Sequence, residues 1–128
     1  MGLFARADVA TGLLNGLPLP EAWLATLTVD ESWVLVEAIA KLLEALRRAG
    51  AHHPDLNVRN VLMFDGNGAR TAAVLDVDRV VFGAPGDAAL SARNFHRLLR
   101  SMRKQHVGCG VNLTSRQVRR LQEGAGIT

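Results

Sequence analysis

The sequence predicts an α+β fold, mostly helical, built around one central β-hairpin. Three observations carry this. Apolar residues recur at helical spacing over residues 29–49, and do so again from residue 88 to about 104. Between these stretches, two short β-prone runs, Val61–Phe64 and Thr71–Leu75, flank the turn-forming Asp65-Gly66-Asn67-Gly68.

Taken in order, residues 7–14 are small and apolar, with Val9 and Thr11 alternating, and are expected to form a short strand. Asn15-Gly16-Leu17-Pro18 breaks any regular element. Pro20 suits the first position of a short helix running to about Leu27. Thr28 with Glu31 three residues later makes a capping box for the long helix. Trp33, Val36, Ile39, Ala40, Leu43 and Leu46 form its apolar stripe. Glu37–Lys41 and Glu44–Arg48 are i,i+4 pairs in the favourable orientation, Arg47 and Arg48 suit the negative C-terminal end, and Gly50 can end it. A polar, proline-broken loop over residues 51–57 leads into the hairpin, which spans residues 61–75 and ends in Asp76-Val77-Asp78-Arg79. After Gly83–Gly86, the second long helix places Leu90, Asn94, Phe95, Leu98, Leu99 and Met102 on one face, with Gly108 and Gly110 to end it. Thr114 or Ser115 caps a last helix over about 115–123, with Val118 and Leu121 inward, and residues 124–126 are expected to fray.

Composition limits the function classes. With 128 residues, 48% hydrophobic and 21% charged, the chain has the makings of one folded core rather than a disordered tail. No apolar run reaches the roughly 20 residues that cross a bilayer. Arg6 and Asp8 interrupt the apolar start, against a signal peptide, so a cytoplasmic location, or the cytosolic side of a membrane, is expected. The single Cys109 can make neither an internal disulfide nor a cysteine zinc site, and reads as a turn residue between two glycines. Charge is uneven: residues 1–75 carry six Lys/Arg against eight Asp/Glu, and residues 76–128 carry nine against four. The second part therefore attracts anions.

Three oxygen-bearing side chains fall where phosphoryl transfer needs them. Asp55 lies in His53-Pro54-Asp55-Leu56, Asn60 follows five residues later in the same loop, and Asp76 stands at the end of the hairpin. Phosphoryl transfer uses a carboxylate to take the proton of the attacking hydroxyl, and hard oxygen ligands for a Mg²⁺ on the nucleotide phosphates. Asp55 suits the first task, Asn60 and Asp76 the second. Other readings exist for the same residues. Asp55 and Asn60 could bond their own backbone as ordinary loop residues, and Asp78 could pair with Arg79. A zinc site from His52, His53 and Asp55 lacks further nearby ligands, since His96 and His106 lie far along the chain. Thr114–Leu121 after a basic helix also suits a small helix-turn-helix DNA-binding protein, a reading that leaves residues 51–79 unexplained and makes a nucleic-acid partner the weaker expectation.

The loop matches the protein-kinase pattern His-Arg-Asp-Leu-x-x-x-Asn as His53-Pro54-Asp55-Leu56-x-x-x-Asn60, and Asp76-Val77-Asp78 stands where the metal-binding Asp-Phe-Gly belongs. Asn57 replaces the lysine that protein kinases carry two residues after the catalytic aspartate, Asp78 replaces the glycine, and Arg79 follows. With those departures, residues 2–105 resemble the C-terminal lobe of the 3-deoxy-D-manno-octulosonic acid (Kdo) kinases and related lipopolysaccharide core kinases. The resemblance implies ATP-dependent phosphorylation of a Kdo sugar on lipid A, at the cytoplasmic face of the inner membrane of a Gram-negative bacterium. It implies Asp55 as the base, Asn60 and Asp76 as Mg²⁺ ligands, and Asp78 beside the cofactor. Asn57 would orient substrate or phosphate, and His53 would brace the loop. The basic helix Arg93–Lys104 would meet the anionic glycolipid and its membrane. Residues 1–18 would be a residual strand and hinge, and residues 19–128 the lobe itself. No Gly-x-Gly-x-x-Gly precedes the hinge. The expectation is therefore a lobe without its N-terminal partner, weakly active or inactive alone, and open to self-association through the apolar surface near residues 7–20. The alternative in a different class is a non-catalytic remnant acting as a binding module.

Overall fold

The helix Val29–Ala49, here α2, is the longest in this computed structural model, and the strands Ala51–His52 and Ala69–Val74 and the helices Ala88–Lys104 and Ser115–Gly124 pack against it. The structure describes residues 16–66, 68–104 and 112–127. The strand expected at 7–14 and the glycine stop at 108 and 110 lie outside them. In order, the elements are β1 (Gly16–Pro18), α1 (Leu19–Leu24), α2, β2 (Ala51–His52), a 3₁₀ turn Val58–Asn60, β3 (Val61–Gly66) and β4 (Ala69–Val74). A second 3₁₀ turn Val77–Arg79, β5 (Val81–Phe82), α3 (Ala88–Lys104) and α4 (Ser115–Gly124) complete them. This is the mixed, mostly helical architecture with a central hairpin that the sequence predicts.

Helix α2 begins and ends as its residues dictate. The Thr28 hydroxyl accepts from the Glu31 amide at 3.1 Å, and the Glu31 carboxylate accepts from the Leu27 amide at 2.6 Å. Gly50 closes the helix in the left-handed conformation, φ 67°. A Cβ there would strike the carbonyl of Gly83 and the backbone of Ala84, so this glycine meets both a backbone need and a close approach. Leu35, Val36, Ile39, Leu42, Leu43 and Leu46 are all buried, a wider stripe than one neighbour needs. The reason is that β4 packs on one side of α2, while α3 and α4 pack on others.

The hairpin pairs Val61 with Val74 through Gly66 with Ala69. The strands therefore run further toward the turn than expected, and Gly68 takes φ 76° there. Asp65 and Arg70 meet across the strands at 3.2 Å. Three expectations need correction. Residues 16–18 are not a break but an edge strand, antiparallel to Leu62–Phe64, and Pro18 is tolerated because it lies at that edge. Helix α1 stops at Leu24, three residues short, leaving Leu27 largely exposed. The C-terminal residues do not fray: Ala125 is buried, and Gly124 lies so close to α2 that a Cβ would collide with the carbonyl of Ala40.

One ladder had no signature in the sequence. β2 and β5 pair antiparallel, His52 opposite Val81 and Ala51 opposite Phe82. Together with the hairpin, this positions the candidate site. Residues 53–60 run between β2 and β3, and residues 75–80 run between β4 and β5. The ladders bring 52 to 81 and 61 to 74, so the two connecting segments leave and re-enter the same pair of ladders and lie opposite one another.

Candidate active site

Cross-links between these segments are short and specific. The Leu75 amide donates to the Asn60 carbonyl at 2.7 Å. The His53 ring nitrogen Nε2 lies 3.3 Å from the Leu75 carbonyl. Both ends of the loop are thus tied to the residue just before Asp76. His53 is fully buried, and its Nδ1 accepts from the Asp55 amide at 3.1 Å. Those two bonds together require the tautomer with hydrogen on Nε2, so that Nε2–H donates to Leu75. One ring therefore fixes the backbone at Asp55 against the backbone leading into Asp76.

The loop then closes on Asp55 from its other side. The Asp55 carbonyl accepts from Asn60 Nδ2 at 2.7 Å and from Asn57 Nδ2 at 2.9 Å. Asn57 Oδ1 in turn accepts from the Arg59 amide at 2.8 Å. Both ends of the Asn57 amide are engaged within the loop, so this side chain shapes the loop. Asn60 differs, because its Nδ2 is engaged and its Oδ1 is left as an oxygen donor. Among the described residues the carboxylates of Asp55, Asp76 and Asp78 make no hydrogen bond or ion pair. All three residues are exposed, which makes the site an open shelf rather than an enclosed cavity. Asp78 does not pair with Arg79.

Asp76 is the one non-glycine residue with positive φ among the described residues, at φ 63° and ψ 45°. Aspartate tolerates this region better than most residues, yet the conformation is uncommon enough to mark a functional position. It turns the chain from β4 into the 3₁₀ turn, whose Arg79 amide returns to the Asp76 carbonyl at 3.2 Å.

Helix α3 holds the shelf from behind. Asn94, fully buried on the apolar face, accepts from the His53 amide at 3.2 Å through Oδ1 and donates to the Ala51 carbonyl at 2.9 Å through Nδ2. Ser101 Oγ, two turns on, accepts from the Val58 amide at 2.9 Å. Asn94 was legible as a polar residue on an apolar face; Ser101 had no signal at all. Burial pushes the His52 imidazole below its usual range, with Arg93, Arg97 and His53 adding to this. Among the described residues, no group of three His, Cys, Asp or Glu side chains comes together as a metal site. The residues that could hold a cation are Asn60, through Oδ1, and Asp76, through its carboxylate, hard oxygen ligands of the kind Mg²⁺ takes when phosphate oxygens and water fill its remaining positions.

Comparison with known proteins gives the class first. A solved structure of WaaP in complex with acyl carrier protein matches 95% of this chain and 55% of its own, with a TM-score of 0.67 at 19% identity. The fold is kinase-like. The family follows from sequence: the chain belongs to the lipopolysaccharide kinase (Kdo/WaaP) family, whose model matches residues 1–124. The 3-deoxy-D-manno-octulosonic acid kinases of Stenotrophomonas maltophilia strains K279a and R551-3 are each 44% identical over 68 residues, which is 53% of this chain and 26% of theirs. The matched stretch thus spans about a quarter of the length of these relatives.

Proposed function

We propose that this chain carries the acceptor-activating and metal-binding half of an ATP-dependent kinase for the Kdo sugar of lipopolysaccharide. The observation that carries the reading is the pair of bonds from Leu75 to Asn60 and His53, which sets Asp55, Asn60 and Asp76 on one rigid scaffold. Family membership supports the reaction class, and the two curated relatives support the sugar.

In this reading the acceptor hydroxyl oxygen bonds to the γ-phosphorus as the bond from that phosphorus to the β–γ bridging oxygen breaks. The hydroxyl proton passes to the free carboxylate of Asp55, and ADP leaves. Asn60 Oδ1 and Asp76 would hold Mg²⁺, with Asp78 two residues further along the same segment. Magnesium bound there supplies positive charge to the phosphate oxygens as charge moves onto the leaving group. His53 is a positioning residue: it touches no reacting atom, and fixes where Asp55 stands. The cationic face of α3 from Arg93 to Lys104 suits an anionic glycolipid at the cytoplasmic face of the inner membrane.

The test is transfer of phosphate from radiolabelled ATP to a Kdo acceptor by the purified chain. Without a Gly-x-Gly-x-x-Gly loop to cover the phosphates, turnover falls well below the kinase range of about 1–100 s⁻¹. Transfer within that range by these 128 residues alone would contradict the half-site reading. Magnesium-dependent ATP binding, measured by calorimetry, separates it from a non-catalytic remnant, which would show none.

A further inference from the structure

Helix α3 presents a second feature to the loop. Asn94 and Ser101 both bond the backbone between Ala51 and Val58. Arg97 is three residues after the first and four before the second, so it stands in the same row of the helix, between two side chains that grip the loop. It is exposed, and so is Arg93, one turn before it. Among the described residues neither arginine has an ion pair, although the structure pairs Arg48, Arg70 and Arg120 with carboxylates. His52 lies against the same two cations, its Nε2 buried without a hydrogen-bond partner. Two arginines at i,i+4 repel one another. From Ala88 to Lys104 the helix contains no acidic residue at all. Folding gains nothing from that arrangement, whereas an anionic ligand would.

We infer that Arg97, with Arg93 above it, forms a subsite for an acidic group of the acceptor, and that this subsite fixes the acceptor beside Asp55. The inference rests on the kinase reading for the identity of the ligand, an acidic sugar, but not for the existence of the site. Guanidinium is suited to the task because its planar donors match a carboxylate in a two-point contact. The subsite makes the enzyme selective for sugars that carry a carboxylate near the hydroxyl to be phosphorylated. A neutral sugar of the same size leaves both arginines unpaired and is rejected.

The 128-residue chain is titrated, with its amide signals followed by NMR, with the free octulosonic acid, with its uncharged methyl ester, and with inorganic phosphate. The proteins are the parent, R97Q, R97K, R93Q/R97Q and, as a control for general loss of charge, R116Q/R119Q on α4. Thermal unfolding confirms that each variant is folded, and a separate Mg–ATP titration reports on the nucleotide half of the site. The acid binds the parent and shifts amides of residues 52–58. R97Q weakens it about tenfold, the loss of one charge-assisted contact, and R93Q/R97Q weakens it further. R97K retains part of the affinity, and R116Q/R119Q and the Mg–ATP titration are unchanged. Equal binding of acid and ester, no binding to the parent, an R97Q variant that binds like the parent, or phosphate binding as tightly as the sugar acid would each overturn the inference. Loss of Mg–ATP binding in the parent, with arginine-dependent binding of the acid intact, would defeat the kinase reading and leave the acidic subsite standing.

Discussion

Arg120 lays both arms of its guanidinium on the Glu37 carboxylate, Nε at 2.7 Å and a terminal nitrogen at 2.9 Å, joining two helices 83 residues apart in the chain. The hydrogen bond from Arg120 is the main reason that the Glu37 carboxyl is held below its usual range. A carboxylate with a depressed folded pKa contributes stability that is full above its unfolded pKa, near 4.5, and is lost as pH falls through the folded value. E37Q is expected to cost about 0.5–1 kcal/mol at pH 7, the range for a partly exposed two-point pair. It is also expected to flatten the pH dependence of stability below about pH 4.5. Urea unfolding of parent and variant across pH 3–7 checks both; a variant that loses stability in parallel with the parent on acidification would refute the assignment.

His52 behaves in the opposite chemical sense. Its folded pKa lies below the ordinary 6.5, first because of burial and then because of Arg93, Arg97 and His53. The unfolded chain therefore binds a proton at a pH where the folded chain does not, and stability is lost as pH falls below 6.5. NMR titration of the ring is expected to show a midpoint below 6.5 in the parent and a higher one in R97Q, where one of the repelling charges is gone.

Asn94 holds two buried backbone groups at once, the His53 amide and the Ala51 carbonyl. Asn94→Ala leaves both unpaired, at a cost of about 2–4 kcal/mol in unfolding free energy. Because those groups anchor the start of the loop that carries Asp55, hydrogen exchange is expected to rise at residues 53–60 before it rises in β3 and β4. Uniform exchange across all three segments would mean that Asn94 supports the core and not the loop.

Asp55→Asn should separate function from folding. The carboxylate has no partner among the described residues and is exposed, so stability should stay within about 0.5 kcal/mol of the parent. Residual phosphate transfer should fall by about 10²-fold or more, the usual contribution of a general base. A variant that retained transfer would remove Asp55 from the base's role.

How much of this was legible in the sequence follows from the range of each interaction. Thr28 with Glu31, Gly50, Glu44 with Arg48 and the hairpin turn are all local, and each could be read from spacing alone. Glu37 was expected to pair with Lys41, four residues on; the structure gives it to Arg120, because a planar donor on a packed helix outcompetes a flexible ammonium at the surface. The Asp55, Asn60 and Asp76 positions were legible as a motif, but what connects them was not. The link runs through the backbone of Leu75, which any residue could provide, and through two-residue strands too short to have a pattern. The extent of α1 and the order at Gly124 depend on packing against α2, which spacing does not encode.

The proposed convergence of Asn60 and Asp76 on one cation beside Asp55 is most directly tested by replacing magnesium with Mn²⁺, which takes the same oxygen ligands, and adding it with ATP to the labelled chain. The amide signals of residues 55, 60 and 75–77 are expected to broaden before any others, and Asp76→Asn is expected to abolish the effect. Broadening centred on another acidic surface, or unchanged in Asp76→Asn, would contradict the account.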